Sequence, residues 1–213
     1  MKIHNVEQRT EEWLNLKLGA ISGTRLKGVM AKNNLPLIYE LLAEDLAGLQ
    51  DPIFVNDAMQ RGIDMEIVAK TQYEQITFNK VDDIGFIECT SIDGVGLSPD
   101  GLVKEKDVYN GAVEIKCPNS KKHLEYIHGD RIPGEYIYQV VMYFICVDTL
   151  EWLDFVSFDD RVKACPIHIV RVTRNELNDK INECYEALIK FNEKKTKYYN
   201  EILKNNKILT IND

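Results

Sequence analysis

Apolar and polar positions along the chain follow two periods, and the switches between them mark the elements. Helical spacing comes first. Thr10 reads as the N-cap of a short helix, with Glu11 and Glu12 at its positive end, Trp13, Leu14 and Leu16 on its apolar surface and Gly19 as C-cap. Ser22 or Thr24 caps a second helix to about Met30. Pro36 opens a third, carrying Leu37, Ile38, Leu41, Leu42 and Leu46 and stopped by Gly48. Asn56 or Asp57 begins a fourth, to about Phe78. Its predicted buried stripe is Met65, Val68, Ala69, Tyr73 and Ile76, with Glu66 at the edge.

The pattern then shortens. Asp83 to Thr90, with Ile84, Phe86 and Ile87, predicts a strand. Gly96 to Pro118 reads as two strands and a turn. Leu97, Leu102 and Val103 lie on one arm, Ala112, Val113 and Ile115 on the other, and Asn110-Gly111 supplies the turn. Ser120 caps a short helix through Ile127, Pro133-Gly134 breaks the chain, and Glu135 to Val147 is an apolar helix. Leu150 to Phe158 and Ile167 to Val172 predict two more strands. Thr173 and Glu176 have capping-box spacing and start a long amphipathic helix past Tyr199. Lys190, Lys194, Lys195 and Lys197 on that helix are interleaved with Glu193 and Glu201, which reads as a solvated face. This order predicts an α/β (α+β) fold, a central mixed sheet of about five strands flanked by helices.

Length narrows the picture to one domain: 213 residues suit a single sizeable core. No apolar run reaches membrane length and the first residues are polar, so neither a membrane span nor a signal peptide is expected. Cys89, Cys117, Cys146, Cys165 and Cys184 are scattered, with no CxxC pair, which points to a reducing compartment. A net charge of −8 argues against a broad nucleic-acid-binding surface, while leaving room for a local groove or for metal ions that meet phosphate.

The candidate chemistry lies in the hairpin. Asp100 and Glu114 sit on opposite arms, and Glu114 and Lys116 are two apart, hence on one face, with Ile115 pointing into a core. Facing carboxylates repel unless a cation lies between them, and hard oxygen ligands suit Mg²⁺ or Mn²⁺. A structural Glu–Lys pair on a solvated hairpin is the alternative. The small, hydroxyl-rich start of the second helix exposes backbone N–H groups suited to an anion, or is simply a cap. Gln139 and Tyr143, four apart, share a face of an apolar helix, where a glutamine needs a partner.

Taken together, Glu66, Ser98-Pro99-Asp100-Gly101, Glu114-Ile115-Lys116-Cys117-Pro118 and Gln139 with Tyr143 resemble the PD-(D/E)xK nuclease superfamily, and more closely its phage lambda exonuclease (YqaJ-type) recombinase branch. Trp13, Lys17, Gly19, Ile21, Ser22 and Thr24 fall where that family has its tryptophan and phosphate-binding segment. Lys17 stands where the family usually has an arginine, a point charge in place of a guanidinium fork, and Arg25 is the candidate to compensate.

The resemblance implies a restriction-endonuclease-like core and one nuclease domain over 1–213. Helices in 1–50 would carry a 5′-phosphate pocket, 56–172 the core and 173–213 a long C-terminal helix. Asp100, Glu114 and the Ile115 carbonyl would bind one Mg²⁺ (or Mn²⁺) and Glu66 with Asp100 a second. Lys116 would position or deprotonate the attacking water, and Gln139 would orient substrate. Lys17, Ser22, Thr24, Arg25, Ser98 and Tyr143 would contact phosphate or DNA. The implied activity is a 5′→3′ exonuclease on linear double-stranded DNA that leaves 3′ single strands for phage-type recombination. The implied assembly is a homotrimeric ring on DNA ends, working with a single-strand annealing protein in a bacterial cytoplasm, encoded by a phage or prophage. A structure- or site-specific endonuclease and a non-catalytic DNA-binding scaffold remain alternatives on the same fold.

Overall fold

The structure, a computed structural model, describes residues 1–48 and 56–205; the predicted boundary at residue 50 and the end of the C-terminal segment lie outside the described residues. After strand β1 (Lys2–His4) come four helices: α1 (Glu11–Lys17), α2 (Gly23–Val29), α3 (Leu35–Ala47) and α4 (Asp57–Thr77). Their ends follow local chemistry. The Thr10 side chain accepts from Trp13 N, Asn56 Oδ1 accepts from Met59 N, and α3 ends at Gly48 in the left-handed region. Two positions leave the predicted apolar stripes: Ile76 and Leu46 are about half exposed. Ala69 and Tyr73 are the buried anchors of α4.

Strands β2 (Val81–Asp82), β3 (Phe86–Glu88), β4 (Gly96–Leu97), β5 (Gly101–Glu105) and β6 (Val108–Lys116) follow. They divide between two sheets. β1, β3 and β4 make a small antiparallel sheet. The larger sheet has the order β2-β5-β6-β7-β8, with β7 (Trp152–Phe158) and β8 (Ile167–Thr173). Only the β6–β7 pairing is parallel, and helices α5 (Ser120–Gly129) and α6 (Ile137–Cys146) form its crossover. Helix α7 (Arg174–Asn205) closes the described chain, with Thr173 N donating to Glu176 Oε2 at 2.7 Å as the capping box requires. This is the mixed five-stranded sheet flanked by helices that the pattern predicts.

The hairpin differs in detail. Leu97 belongs to the small sheet, paired with Ile87, and is not part of the hairpin arm. The turn is Lys106-Asp107, both left-handed (φ 49° and 65°). Asn110-Gly111 lies inside β6, where the register slips so that Val103 faces Gly111 and Lys104 faces Tyr109. A bulge absorbs Asn110. Gly111 is needed there for another reason: a Cβ would come within 2.2 Å of the Trp152 ring.

Alternation along β6 and β7 sorts two cores. Val113, Ile115, Val156 and Phe158 pack against Ala69 and Tyr73 of α4. Ala112, Leu153 and Phe155 join the larger core under α2, α3, α6 and α7. Glu114 and Lys116 therefore face the α6 side, at the C-terminal end of the central parallel strand.

Candidate active site

Asp100 precedes β5 and Glu114 lies near the end of β6. The backbone joins them: Ile115 N donates to Asp100 Oδ2 at 2.7 Å. Tyr143, buried on α6, joins them again. Its hydroxyl donates to Glu114 Oε2 at 2.7 Å and accepts from Asp100 N at 2.9 Å. Glu114 is buried and ion-paired with Lys116, whose ammonium lies 5.3 Å from the centre of the Tyr136 ring. Burial, then the charges of Glu114 and Glu66, push the Asp100 carboxyl up to about 8, against the pull of Lys116 and the Ile115 N–H. Burial disfavours the Lys116 charge, but Glu114 and Asp100 override it and hold the ammonium above its ordinary range. Burial, Glu114 and Asp100 likewise keep Tyr143 protonated.

One small cleft of about 110 Å³ is lined by Asp100, Glu114, Lys116, Gln139 and Tyr143 together with Lys17, Ser22, Thr24 and Ser98. The N-terminus of α2 reaches this cleft because Gly23 packs on Gln139, where a Cβ would stand 3.3 Å from the Gln139 Cα. Ser22 Oγ and Thr24 Oγ1 lie 3.1 Å apart. Ser98 Oγ accepts from Trp13 Nε1 at 2.9 Å, and Lys17 Nζ sits 3.7 Å from the Trp13 ring centre. Burial, then the Arg25 charge, lowers the Lys17 ammonium to about 8.

Two predicted residues, Glu66 and Arg25, stand elsewhere, and a third, Tyr143, has a different role. Glu66 reaches Asp100 from the opposite side, in a wider cleft of about 680 Å³ lined also by Arg9, with Arg9 Nη2 3.3 Å from Glu66 Oε2. Arg25 is turned away from the small cleft. Its guanidinium bonds to Glu44, to Glu40 at 2.9 Å and to the Ala20 carbonyl at 2.8 Å. Glu44 is itself buried and accepts from Gly19 N at 2.9 Å, so it demands that cation. Tyr143 lines the small cleft, but its hydroxyl is committed to Asp100 and Glu114 and so organises the acids; it is not presented to a phosphate. Sequence reading missed Glu44 and the Trp13–Ser98 bond. A glutamate on the apolar face of a leucine-rich helix is the signal that was available for Glu44.

The donor set fits a divalent cation. Asp100 and Glu114 share one cation, Lys116, and Glu66 approaches Asp100 from the wider cleft; burial first, then the charges of Glu114 and Glu66, hold the Asp100 carboxyl up. Among the described residues no three acidic, His or Cys side chains are already gathered into a cage. Two carboxylates and a backbone carbonyl with waters suit Mg²⁺, which keeps much of its hydration.

The fold places the chain in the structural class of solved exonucleases. An alkaline exonuclease from Laribacter hongkongensis (LHK-Exo) superposes with a TM-score of 0.83 at 33% identity, over 92% of this chain and 97% of that one. Its complex with dAMP superposes with a TM-score of 0.84 at the same identity and coverage. A phage-related exonuclease from Haemophilus somnus shares the fold alone, with a TM-score of 0.56 at 17% identity, over 87% and 96% of the two chains. No curated protein matches the chain. Residues 12–149 match the YqaJ-like viral recombinase domain, and the chain belongs to that family.

Proposed function

We propose that the protein is a metal-dependent 5′→3′ exonuclease that digests linear double-stranded DNA and leaves 3′ single strands for phage-type homologous recombination. The observation that carries this reading is the small cleft in which Asp100, Glu114 and Lys116 meet Ser22 and Thr24 at the start of α2. LHK-Exo, a named exonuclease at 33% identity, has been crystallised with dAMP, which supports a nucleotide ligand for this chain.

In this PD-(D/E)xK reading Asp100, Glu114 and the Ile115 carbonyl would hold one Mg²⁺ or Mn²⁺, and Glu66 with Asp100 would hold a second. Ions bound there would supply Lewis-acid activation of water and charge stabilisation at the leaving oxygen. Lys116, ion-paired with Glu114, positions or deprotonates the attacking water. Tyr143 keeps Glu114 and Asp100 at a fixed separation. Gln139, at the junction of α2 and α6, orients the substrate. Lys17, Ser22, Thr24 and Ser98 hold the 5′ phosphate, with backbone N–H groups of α2 assisting.

The chain works as one nuclease domain. Three copies close a ring around the duplex, which gives an acidic protein a hold on DNA without a wide basic surface. It acts in the bacterial cytoplasm from a phage or prophage gene, on DNA ends and alongside a single-strand annealing protein. No described helix is long and apolar enough to cross a membrane. Calorimetric titration with Mn²⁺ tests the site: wild type should bind, and Asp100→Ala with Glu114→Ala should not. Undiminished binding by that double variant would overturn the assignment.

A further inference from the structure

Helix α4 carries Glu66, and it is tied to β7 at two points by buried carboxylates. At its C-terminal part, Tyr73 donates its hydroxyl to Asp154 Oδ2 at 2.6 Å. Near its N-terminus, Arg61 Nη2 donates to Asp159 Oδ1 at 2.9 Å, just past the end of β7. Asp154 and Asp159 are both buried, and Tyr73 is fully buried. Each carboxylate also binds a guanidinium from outside α4. Arg171 grips Asp154 through two bonds of 2.7 Å, and Arg161 Nε bonds Asp159 at 2.7 Å. Ser120 of α5 donates to Asp159 at 2.6 Å, and Arg161 also reaches the Pro118 carbonyl at 3.3 Å, two residues past Lys116.

The spacings of these ties agree. Arg61 and Tyr73 are separated by twelve residues of helix, about 18 Å. Asp154 and Asp159 are separated by five residues of extended chain, about 17 Å. The helix therefore lies antiparallel to β7 with its register set at both ends. Glu66 stands between the ties, seven residues before Tyr73, or about 10 Å. Measured along β7 from Asp154, that distance ends about three residues on, at Ser157. Ser157 is the register partner of Lys116. The two ties thus bring Glu66 level with the acid–lysine end of β6.

We infer that Arg61–Asp159 and Tyr73–Asp154 form a two-point ruler that positions Glu66 for the second cation. None of these four residues touches that cation; they are positioning residues that act through Glu66. The inference rests on the proposed role of Glu66 as a ligand. Other polar ties of α4, Val81 N to Glu74 Oε1 at 2.8 Å and Lys70 to Asp83, run to β2 and the residue after it, so Arg61–Asp159 and Tyr73–Asp154 are the ties that fix α4 against β7, beside the apolar packing of Ala69, Met65 and Val68.

Two variants remove one tie each without orphaning a carboxylate. Tyr73→Phe leaves Asp154 gripped by Arg171, and Arg61→Ala leaves Asp159 held by Arg161 and Ser120. Circular dichroism first establishes that both are folded. Mn²⁺ calorimetry on the DNA-free full chain should show the weaker of two binding events lost or weakened about tenfold or more, as when an outer-shell support is removed, with the tighter event kept. A double-mutant cycle is decisive. In a Glu66→Ala background, Arg61→Ala and Tyr73→Phe should cause no further change in Mn²⁺ binding. Effects that persist unchanged in that background would overturn the ruler, as would single variants that bind both ions like wild type. If Glu66→Ala alone binds Mn²⁺ like wild type, the ligand role of Glu66 fails instead, and the ruler with it, a result read from that one variant.

Discussion

Tyr143 and Glu114 are joined by a 2.7 Å hydrogen bond from a fully buried phenol to a buried carboxylate, and the same oxygen receives the Asp100 N–H. One side chain on α6 thereby sets the separation of the two acids. Tyr143→Phe removes only the hydroxyl. A hydrogen bond to a charged group contributes about 1.5–3 kcal/mol, so Mn²⁺ affinity should fall about tenfold or more while the fold survives. Calorimetry on the folded variant checks this, and unchanged affinity would show that the acids are held without Tyr143.

Lys17 is expected to give the cleft a pH-dependent preference for phosphorylated ends. Burial and Arg25 lower its ammonium to about 8. Below that pH Lys17 is charged and attracts a 5′ phosphate; above it the charge is lost. The ratio of rates on 5′-phosphorylated and 5′-hydroxyl duplex should be about tenfold near pH 7 and should fall as pH rises through 8. Lys17→Ala should flatten the ratio at every pH. A ratio that holds steady to pH 10 in wild type would remove Lys17 from phosphate recognition.

Arg25 is expected to matter for stability. It is the partner of buried Glu44, and breaking such a pair leaves an uncompensated charge that costs about 3 kcal/mol. Urea denaturation of Arg25→Ala should show a loss of that order. The folded fraction should keep its preference for 5′ phosphate. Wild-type stability with the preference abolished would return Arg25 to the phosphate pocket.

Much of the fold was legible because its elements carry their own signals. The Thr173–Glu176 capping box, the Asn56 cap and the Gly48 stop are local chemistry, and the structure shows all three in place. The hairpin turn was not. Asn110-Gly111 is a turn dipeptide by composition, but Gly111 is required by Trp152, a residue 41 positions away, and the turn passed to Lys106-Asp107. The candidate site divides in the same way. Glu114 and Lys116 were legible from alternation on β6, and Asp100 from its place on the other arm of the hairpin. The commitments of Arg25 to Glu44, of Tyr143 to the two acids and of α4 to Asp154 and Asp159 depend on contacts between distant elements, which periodicity does not encode.

The ring is expected to be visible as mass. Light scattering should give about three times the 24.5 kDa of the chain, and covalently closed circular DNA should survive while linear DNA is digested. A monomer that cuts both would leave the cleft intact as a nuclease site and remove the enclosure.

The central claim is that the Asp100–Glu114–Lys116 cleft hydrolyses DNA from a 5′ end. It is tested most directly with a linear duplex labelled separately at its 5′ and 3′ ends, with and without Mg²⁺. Wild type with Mg²⁺ should release the 5′ label early as mononucleotide and retain the 3′ label on long strands. Lys116→Ala and Glu114→Gln, folded by circular dichroism, should be slower by roughly a thousandfold. Internal fragments as first products, release without added metal, or wild-type rates in Lys116→Ala would contradict the account.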